Sequence, residues 1–441
     1  MLFNSFEFIG FLIVIFIVFT ILNRRKWLPY RNVVLLLASY YFYAQLNVYF
    51  VVLLVYVTGV NYIAGYLLTK SQSNGRKGKG IVTFAIVLSI GMLVFFKYAY
   101  LWNSSILLPI GLSFFTFQAL TYTIDIYRGK IRSESNIINV ALFVAFFPTL
   151  LSGPIERARN LIPQLKARSP ISMENVEWGI QLFIYGLFKK VVIADRLADY
   201  VNAAYYNPDA QTGSTLAIAA IFYSFQIYCD FSGYADMAIG SGKILGFNLM
   251  DNFKLPYCAS TIKEFWRRWH ISLTSWFTEY VYISLGGNRV SKARWMFNIS
   301  AVFLLSGIWH GATVSFVLWG ALHALYYLLE KHYGPAKPNI FYHLFVFIMV
   351  TFAWLFFRIE DSQVAVQVIY RICTDLFSPF TMGSSAFTTV ITTVLLIFFM
   401  IREFMESKGI AVRKGRLETT VYLLAVCLLG VSSAQFVYFQ F

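Results

Sequence analysis

The sequence predicts an all-α, polytopic integral membrane protein of roughly eleven transmembrane helices, with re-entrant helical pieces among them. Three observations carry that prediction. Of 441 residues, 58% are hydrophobic and only 13% are charged, about half the charged share of a soluble domain. Apolar runs long enough to cross a bilayer, which takes about 20 residues each, recur from one end of the chain to the other. Those runs are too long and too continuous for the short alternating strands of an outer-membrane barrel. With no internal repeat and no low-complexity tail, residues 1–441 read as a single integral domain.

The elements follow in order. Candidate spans are Phe8–Leu22, Val33–Gln45, Val48–Leu68, Ile81–Phe96 and Ile106–Ile126. The first is followed by charged residues and no small-residue cleavage site, so it reads as a retained span, although a signal peptide has a similar pattern. The loops between them alternate in charge: "NRRKWLPYR" and "KSQSNGRKGKG" are basic, whereas "YYFYAQLNVYF" and "YAYLWNSS" carry little or none. The positive-inside rule puts the basic loops in the cytoplasm and the N-terminus outside. Val140–Leu151 is short, contains Pro148 and has basic residues on both sides. It reads as a re-entrant hairpin facing a cavity or as an ordinary short span that breaks the charge rule.

Gly179–Ala194 is apolar yet carries Lys189 and Lys190, and Leu216–Cys229 is a span followed by the polar, glycine-rich "CDFSGYADMAIGSGK". The late spans are Met296–Trp309, Val314–Leu329, Ile340–Phe356, Thr388–Ile401 and Val421–Val431. The basic loop "REFMESKGIAVRKGR" falls in the cytoplasm, which leaves the final "SSAQFVYFQF" outside. The net charge of +15 needs no nucleic-acid partner, because it collects in such loops. Four scattered cysteines without CxxC spacing argue for neither a disulfide framework nor a zinc site, so no metal is expected. Walker, GxSxG and HExxH sequences are absent.

Chemistry-bearing residues are few. His310 lies in "FLLSGIWHGATV", inside an apolar run. An ionisable group at membrane depth is a functional candidate, and the alternative is a satisfied interhelical hydrogen bond. His323, thirteen positions on, is a second-rank candidate for orienting the site. In "IKEFWRRWHISLTSWF", Trp266, Trp269, Leu273 and Trp276 recur at spacings of three and four, which predicts one amphipathic helix at the interface. On that helix His270 shares a side with Trp266 and Arg267, and Arg267 and Arg268 are candidates for binding the phosphates of a nucleotide-bearing donor. Asp230 and Asp236 sit in apolar surroundings and need partners, with Arg267 or Arg268 as candidates. A structural ion-pair network and a carboxylate dyad are both open. "GPIERARN" offers Glu156, Arg157 and Arg159 in a structural or donor-binding role.

Three stretches, "YCDFSGYADMAIGSGKILGF", "IKEFWRRWHISLTSWFTEYVYISLGGNR" and "LSGIWHGATVSFVLWGALH", together resemble the membrane-bound O-acyltransferase family. Within it they look closest to the bacterial branch of the alginate O-acetylation membrane subunit. The D-alanyl transferase of teichoic acid modification is a more distant relative. The resemblance runs nearly end to end and includes the final "FVYFQF". It implies a ring of helices around a central funnel, with His310 as the catalytic histidine at its constriction and His270 as the second motif histidine. It also implies transfer of an acyl group, acetyl for this branch, from a cytoplasmic thioester such as acetyl-CoA, which is a substrate and not a bound cofactor. Delivery would be outward across a bacterial cytoplasmic membrane to an exported polysaccharide, with an extracytoplasmic acetyltransferase as partner.

Phe436, Tyr438 and Phe441 fit a tail that in some relatives is proposed to carry the acyl group. A phenol, with pKa about 10, ionises more readily than a sugar hydroxyl, so Tyr438 is either an acyl relay or an interfacial anchor. D-alanyl transfer from a carrier protein, a transport pathway lined by His310, and a subunit that only recruits a secreted transferase are the competing readings.

Overall fold

The computed structural model describes residues 1–75, 77–101, 103, 106, 108–333, 339–381, 386–410, 415–431 and 436. Every regular element among them is a helix. They group into two compact units, Met1–Ile184 with Tyr234–Asp251, and Tyr185–Gly233 with Asn252–Phe441.

The first unit begins with α1 (Phe6–Leu22), α2 (Leu28–Ala44), α3 (Phe50–Ser73) and α4 (Lys79–Tyr98). The chain bends by 116° between α1 and the stretch that starts at Arg25. Arg31 fixes this corner. Its fully buried guanidinium donates to Asn23 Oδ1 at 3.0 Å, Asn32 Oδ1 at 3.0 Å and the Leu165 carbonyl at 2.6 Å. These acceptors are neutral, so the cation is held by its fork of N–H donors in a dense set of dipoles.

Next come α5 (Leu112–Tyr127), α6 (Ile137–Ala145), α7 (Phe147–Leu150), α8 (Ala158–Lys166) and α9 (Met173–Phe188). Residues Leu112 to Ile126 of α5 are all buried, so this helix is the core of the first unit. Its polar groups are used inward: Gln118 Oε1 accepts from the Glu156 N–H at 3.1 Å, and Asp125 pairs with Arg159 at 3.2 Å. Helix α6 has nine residues, about 14 Å at 1.5 Å per residue, less than half of a bilayer's hydrocarbon depth. Phe146 then breaks the helix before α7. The apolar run Val140–Leu151 is thus divided between two short helices.

After a π-helical stretch at Lys189–Ala194, the chain continues through α10 (Asp195–Tyr206) and α11 (Gly213–Ile244). The second unit is completed by α12 (Ile262–Arg268), α13 (Ile271–Trp276), α14 (Lys292–His310), α15 (Val314–Tyr333), α16 (Ile340–Arg358), α17 (Ser362–Thr374), α18 (Ala386–Ser407) and α19 (Arg416–Leu429). Helices α3, α4, α11, α16 and α18 have the length and apolarity to cross a membrane, and the bent pair at the N-terminus adds a sixth if it is one span. Other apolar runs form shorter helices, 16 residues for α5 and 14 for α19.

Two expectations are corrected here. The segment "CDFSGYADMAIGSGK" does not follow a span that ends at Cys229, because α11 runs unbroken for 32 residues. Its glycines are a packing surface. A Cβ on Gly233 would lie 2.6 Å from the Gly186 carbonyl, and one on Gly240 2.6 Å from the Gly179 carbonyl. The tryptophan-rich stretch is not one helix either. It breaks at Trp269–His270, where His270 adopts φ +44, a left-handed conformation uncommon outside glycine. Trp269, Leu273 and Trp276 are buried in protein, so their periodicity reports a core and not an interface.

Candidate active site

The second unit brings three of its histidines together. His310 is the last residue of α14, and Gly311 to Thr313 carry the chain over to α15. That turn works because α14 and α15 touch backbone to backbone. A Cβ on Gly307 would lie 2.3 Å from the Phe316 carbonyl, and one on Gly320 2.5 Å from the Phe303 carbonyl. Only hydrogen fits at either position.

The close crossing sets His310 in an aromatic cage. Its ring centroid is 4.6 Å from Trp309, 5.1 Å from Trp319 and 4.9 Å from Phe357, each edge to face. Edge-to-face pairs of this kind fix ring orientation beyond what area burial supplies. Trp319 is in turn 5.0 Å from His323, and Trp309 is 6.5 Å from His270. Tryptophans thus separate His310 from both other histidines.

The two outer histidines have legible tautomers when neutral. His270 Nδ1 lies 3.0 Å from Asn252 Oδ1, an oxygen that also receives the Ser272 N–H and hydroxyl. An amide oxygen only accepts, so Nδ1 carries the proton and Nε2 is the lone-pair nitrogen. The backbone secures the same corner: the Ile271 N–H donates to the Asn252 carbonyl at 2.8 Å, and the Lys254 N–H to the Arg268 carbonyl at 2.9 Å. His323 is the reverse case. Its Nδ1 accepts from Trp266 Nε1 at 3.3 Å, which leaves the proton on Nε2. A caged imidazole at the end of a helix can take a proton from a hydroxyl brought to it.

Comparison with known proteins gives this arrangement a context. Residues 78–360 match the sequence profile of MBOAT, the membrane-bound O-acyltransferase family. The chain belongs to that family. It is 36% identical to the probable alginate O-acetylase AlgI of Pseudomonas aeruginosa, over 92% of this chain and 82% of that protein. It is 35% identical to the peptidoglycan O-acetyltransferase of Helicobacter pylori, over 84% of this chain and 79% of that protein. The teichoic acid D-alanyltransferase of Bacillus subtilis is 29% identical over 56% of this chain and 67% of its own length. This membrane-bound O-acyltransferase homologue is therefore an acyltransferase of the alginate O-acetylation branch, and a membrane protein.

The remaining sequence-predicted residues are placed differently from the histidines. Arg267 is exposed, and Arg268 is tied to Glu264 at 2.7 Å. Neither is the partner that the sequence suggested for Asp230. That partner is Lys190, whose Nζ lies 2.7 Å from Asp230 and 2.7 Å from Asp195, all three buried. The cause is the π-helical stretch, whose wider turn brings Lys190 and Asp195, five positions apart, onto one side. Asp236 lies six positions along α11 from Asp230, about 240° around at ~100° per residue, so the two share no face. Tyr438 and Phe441 lie outside the described residues. Asn252, Trp309, Trp319 and Phe357 were missed. Of these, the Trp309–His310 pair was visible in the sequence, whereas Asn252 acquires its role through long-range folding.

Proposed function

We propose that this acyltransferase moves an acetyl group from a cytoplasmic thioester, acetyl-CoA, to an exported polysaccharide, in a multi-pass domain of roughly eleven crossings around a funnel in the bacterial cytoplasmic membrane. The observation that carries the reading is the caged His310, with His270 across Trp309 from it, together with the position of Phe436. Phe436 is buried 6.0 Å from the Phe231 ring, and Phe231 stands edge-on to His270 at 4.6 Å. The Val431 N–H, five positions earlier, donates to the Val191 carbonyl at 2.9 Å. Tyr438 is two positions beyond Phe436, at most about 7 Å of chain.

In the proposed reaction His310 takes the proton of the Tyr438 hydroxyl as its oxygen attacks the thioester carbonyl. The carbon–sulfur bond breaks, the thiolate leaves and is protonated, and the acyl group rests on the phenol as an ester. A partner enzyme outside the membrane then receives it and acylates the polymer. General-base catalysis of this kind is worth typically ~10²–10⁴-fold. His270 orients the cluster through Asn252, and Arg267 and Arg268 form the donor's phosphate contacts. The similarity to the teichoic acid D-alanyltransferase of Bacillus subtilis keeps D-alanyl transfer as the second reading of the same site.

Peptide mass spectrometry of the C-terminal fragment from active membranes tests the proposal. An acetyl adduct on Tyr438 that disappears in His310→Ala is the expected result. A D-alanyl mass selects the second reading. Full polymer acylation in both His310→Ala and Tyr438→Phe overturns the mechanism.

A further inference from the structure

Apart from the histidine cluster, the second unit has a cleft of about 630 Å³ between α16 and α18, in the size range of pockets that hold small ligands. Its walls are apolar: Phe225, Tyr257, Leu344, Phe347, Met400 and Phe404. Both helices that form it have the length and apolarity of membrane spans. The lining comes from 339–347 of α16 and 400–408 of α18, so the start of α16 lies against the end of α18 and the two run antiparallel. Lys331 precedes the start of α16, and Lys408 and Arg416 follow the end of α18. The positive-inside rule therefore places it at the cytoplasmic leaflet.

The rim carries the complementary chemistry. Lys408 Nζ stands 5.4 Å from the Phe404 ring centroid, beside the mouth of the cleft. Helix α16 begins at the same mouth, with Asn339 accepting from the Phe341 and Tyr342 N–H groups, and the helix start adds partial positive charge. His343 and Ser407 supply further polar groups. The one acidic lining residue, Glu403, is turned to the inner wall, where it accepts from the Tyr228 hydroxyl at 2.6 Å. Phe341, Leu344 and Phe404 are exposed. In a bilayer they meet acyl chains.

We infer that this cleft binds an anionic phospholipid of the cytoplasmic leaflet, its acyl chains along Leu344, Phe347 and Phe404 and its phosphate at Lys408 and the start of α16. Surface potential and apolar space select together here: the leaflet is anionic, and each basic residue near it attracts such lipids. The site lies apart from His310 and does not depend on the reaction proposed above.

Native mass spectrometry of the full-length protein in mild detergent, titrated with phosphatidylglycerol or phosphatidylcholine, provides the test. One phosphatidylglycerol per chain is expected, at concentrations where phosphatidylcholine stays unbound. Lys408→Glu lowers that occupancy at least about five-fold, the factor that one basic residue contributes. Leu344→Trp fills the cleft and lowers binding of both lipids. Both side chains are exposed, so the variants keep the wild-type unfolding midpoint. Equal occupancy by the two lipids in wild type, unchanged occupancy in both variants, or mole-for-mole displacement of the lipid by acetyl-CoA would each overturn the assignment.

Discussion

Replacing Gly307 by alanine separates a site that depends on a close helix crossing from one that merely contains a histidine. The new Cβ would lie 2.3 Å from the Phe316 carbonyl, whereas ordinary contact begins near 3.4 Å. About 1 Å must therefore open between α14 and α15. The obstructing atom is backbone, so no rotamer change relieves it, and the ring of Phe316 is itself wedged 5.2 Å from Phe357. Overpacking of this kind costs about 1–3 kcal/mol. The functional cost is larger. His310 rides on α14 and Trp319 on α15, so the opening moves the imidazole against one wall of its cage. A displacement of about 1 Å at a reacting group can cost about 10²-fold in rate. Acyl transfer in membranes should fall by about that factor while the chain still inserts. Gly91→Ala is the matched control, because nothing lies within 4 Å of the added carbon, and it should retain full activity. Wild-type transfer by Gly307→Ala, with an unchanged unfolding midpoint, would refute the argument that the crossing sets the geometry of His310.

Two further perturbations probe the scaffold. Lys190→Met removes the ammonium that Asp195 and Asp230 share, and breaking a buried pair from one side costs about 3–5 kcal/mol. The triple variant Lys190→Met, Asp195→Asn, Asp230→Asn should recover most of that loss in a detergent unfolding assay, and a single variant as stable as wild type would remove the network from the fold's supports. Glu134, in the loop before α6, is pushed up by burial, but its 2.8 Å pair with Lys166 and the Asn136 N–H outweigh this and hold it below its ordinary value. Its folded value is the lower one, so its contribution is present above the ordinary carboxylate pKa of about 4.3 and disappears as pH falls below it. Glu134→Gln should therefore be less stable than wild type at pH 7, with a gap that narrows as pH falls below the ordinary carboxylate value, and a gap that does not narrow in acid would contradict the pairing.

What the sequence discloses depends on how local its physical cause is. The apolar runs at Val48–Leu68, Ile81–Phe96 and Ile340–Phe356 become α3, α4 and α16 with ends displaced by only a few residues, because hydrophobic length is a local property. Positions 310 and 270 were legible from their motifs, but the order His270, Trp309, His310, Trp319, His323 in space was not, since it needs the α14–α15 crossing. The tryptophan strip misled for a related reason. A period of 3.6 reports which side chains are buried and continues across a break, so Trp266, Trp269 and Trp276 look alike whether or not His270 interrupts the helix. Lys190 shows the limit most clearly. Its partner Asp195 falls outside the i+4 rule by one residue, and its partner Asp230 is forty positions away on α11. The first pairing follows from the π-helical stretch, the second from the close packing of α11 against it at Gly233. That stretch is stabilised by the buried charges it joins, so local pattern and long-range contact determine each other there, and neither is visible without the other.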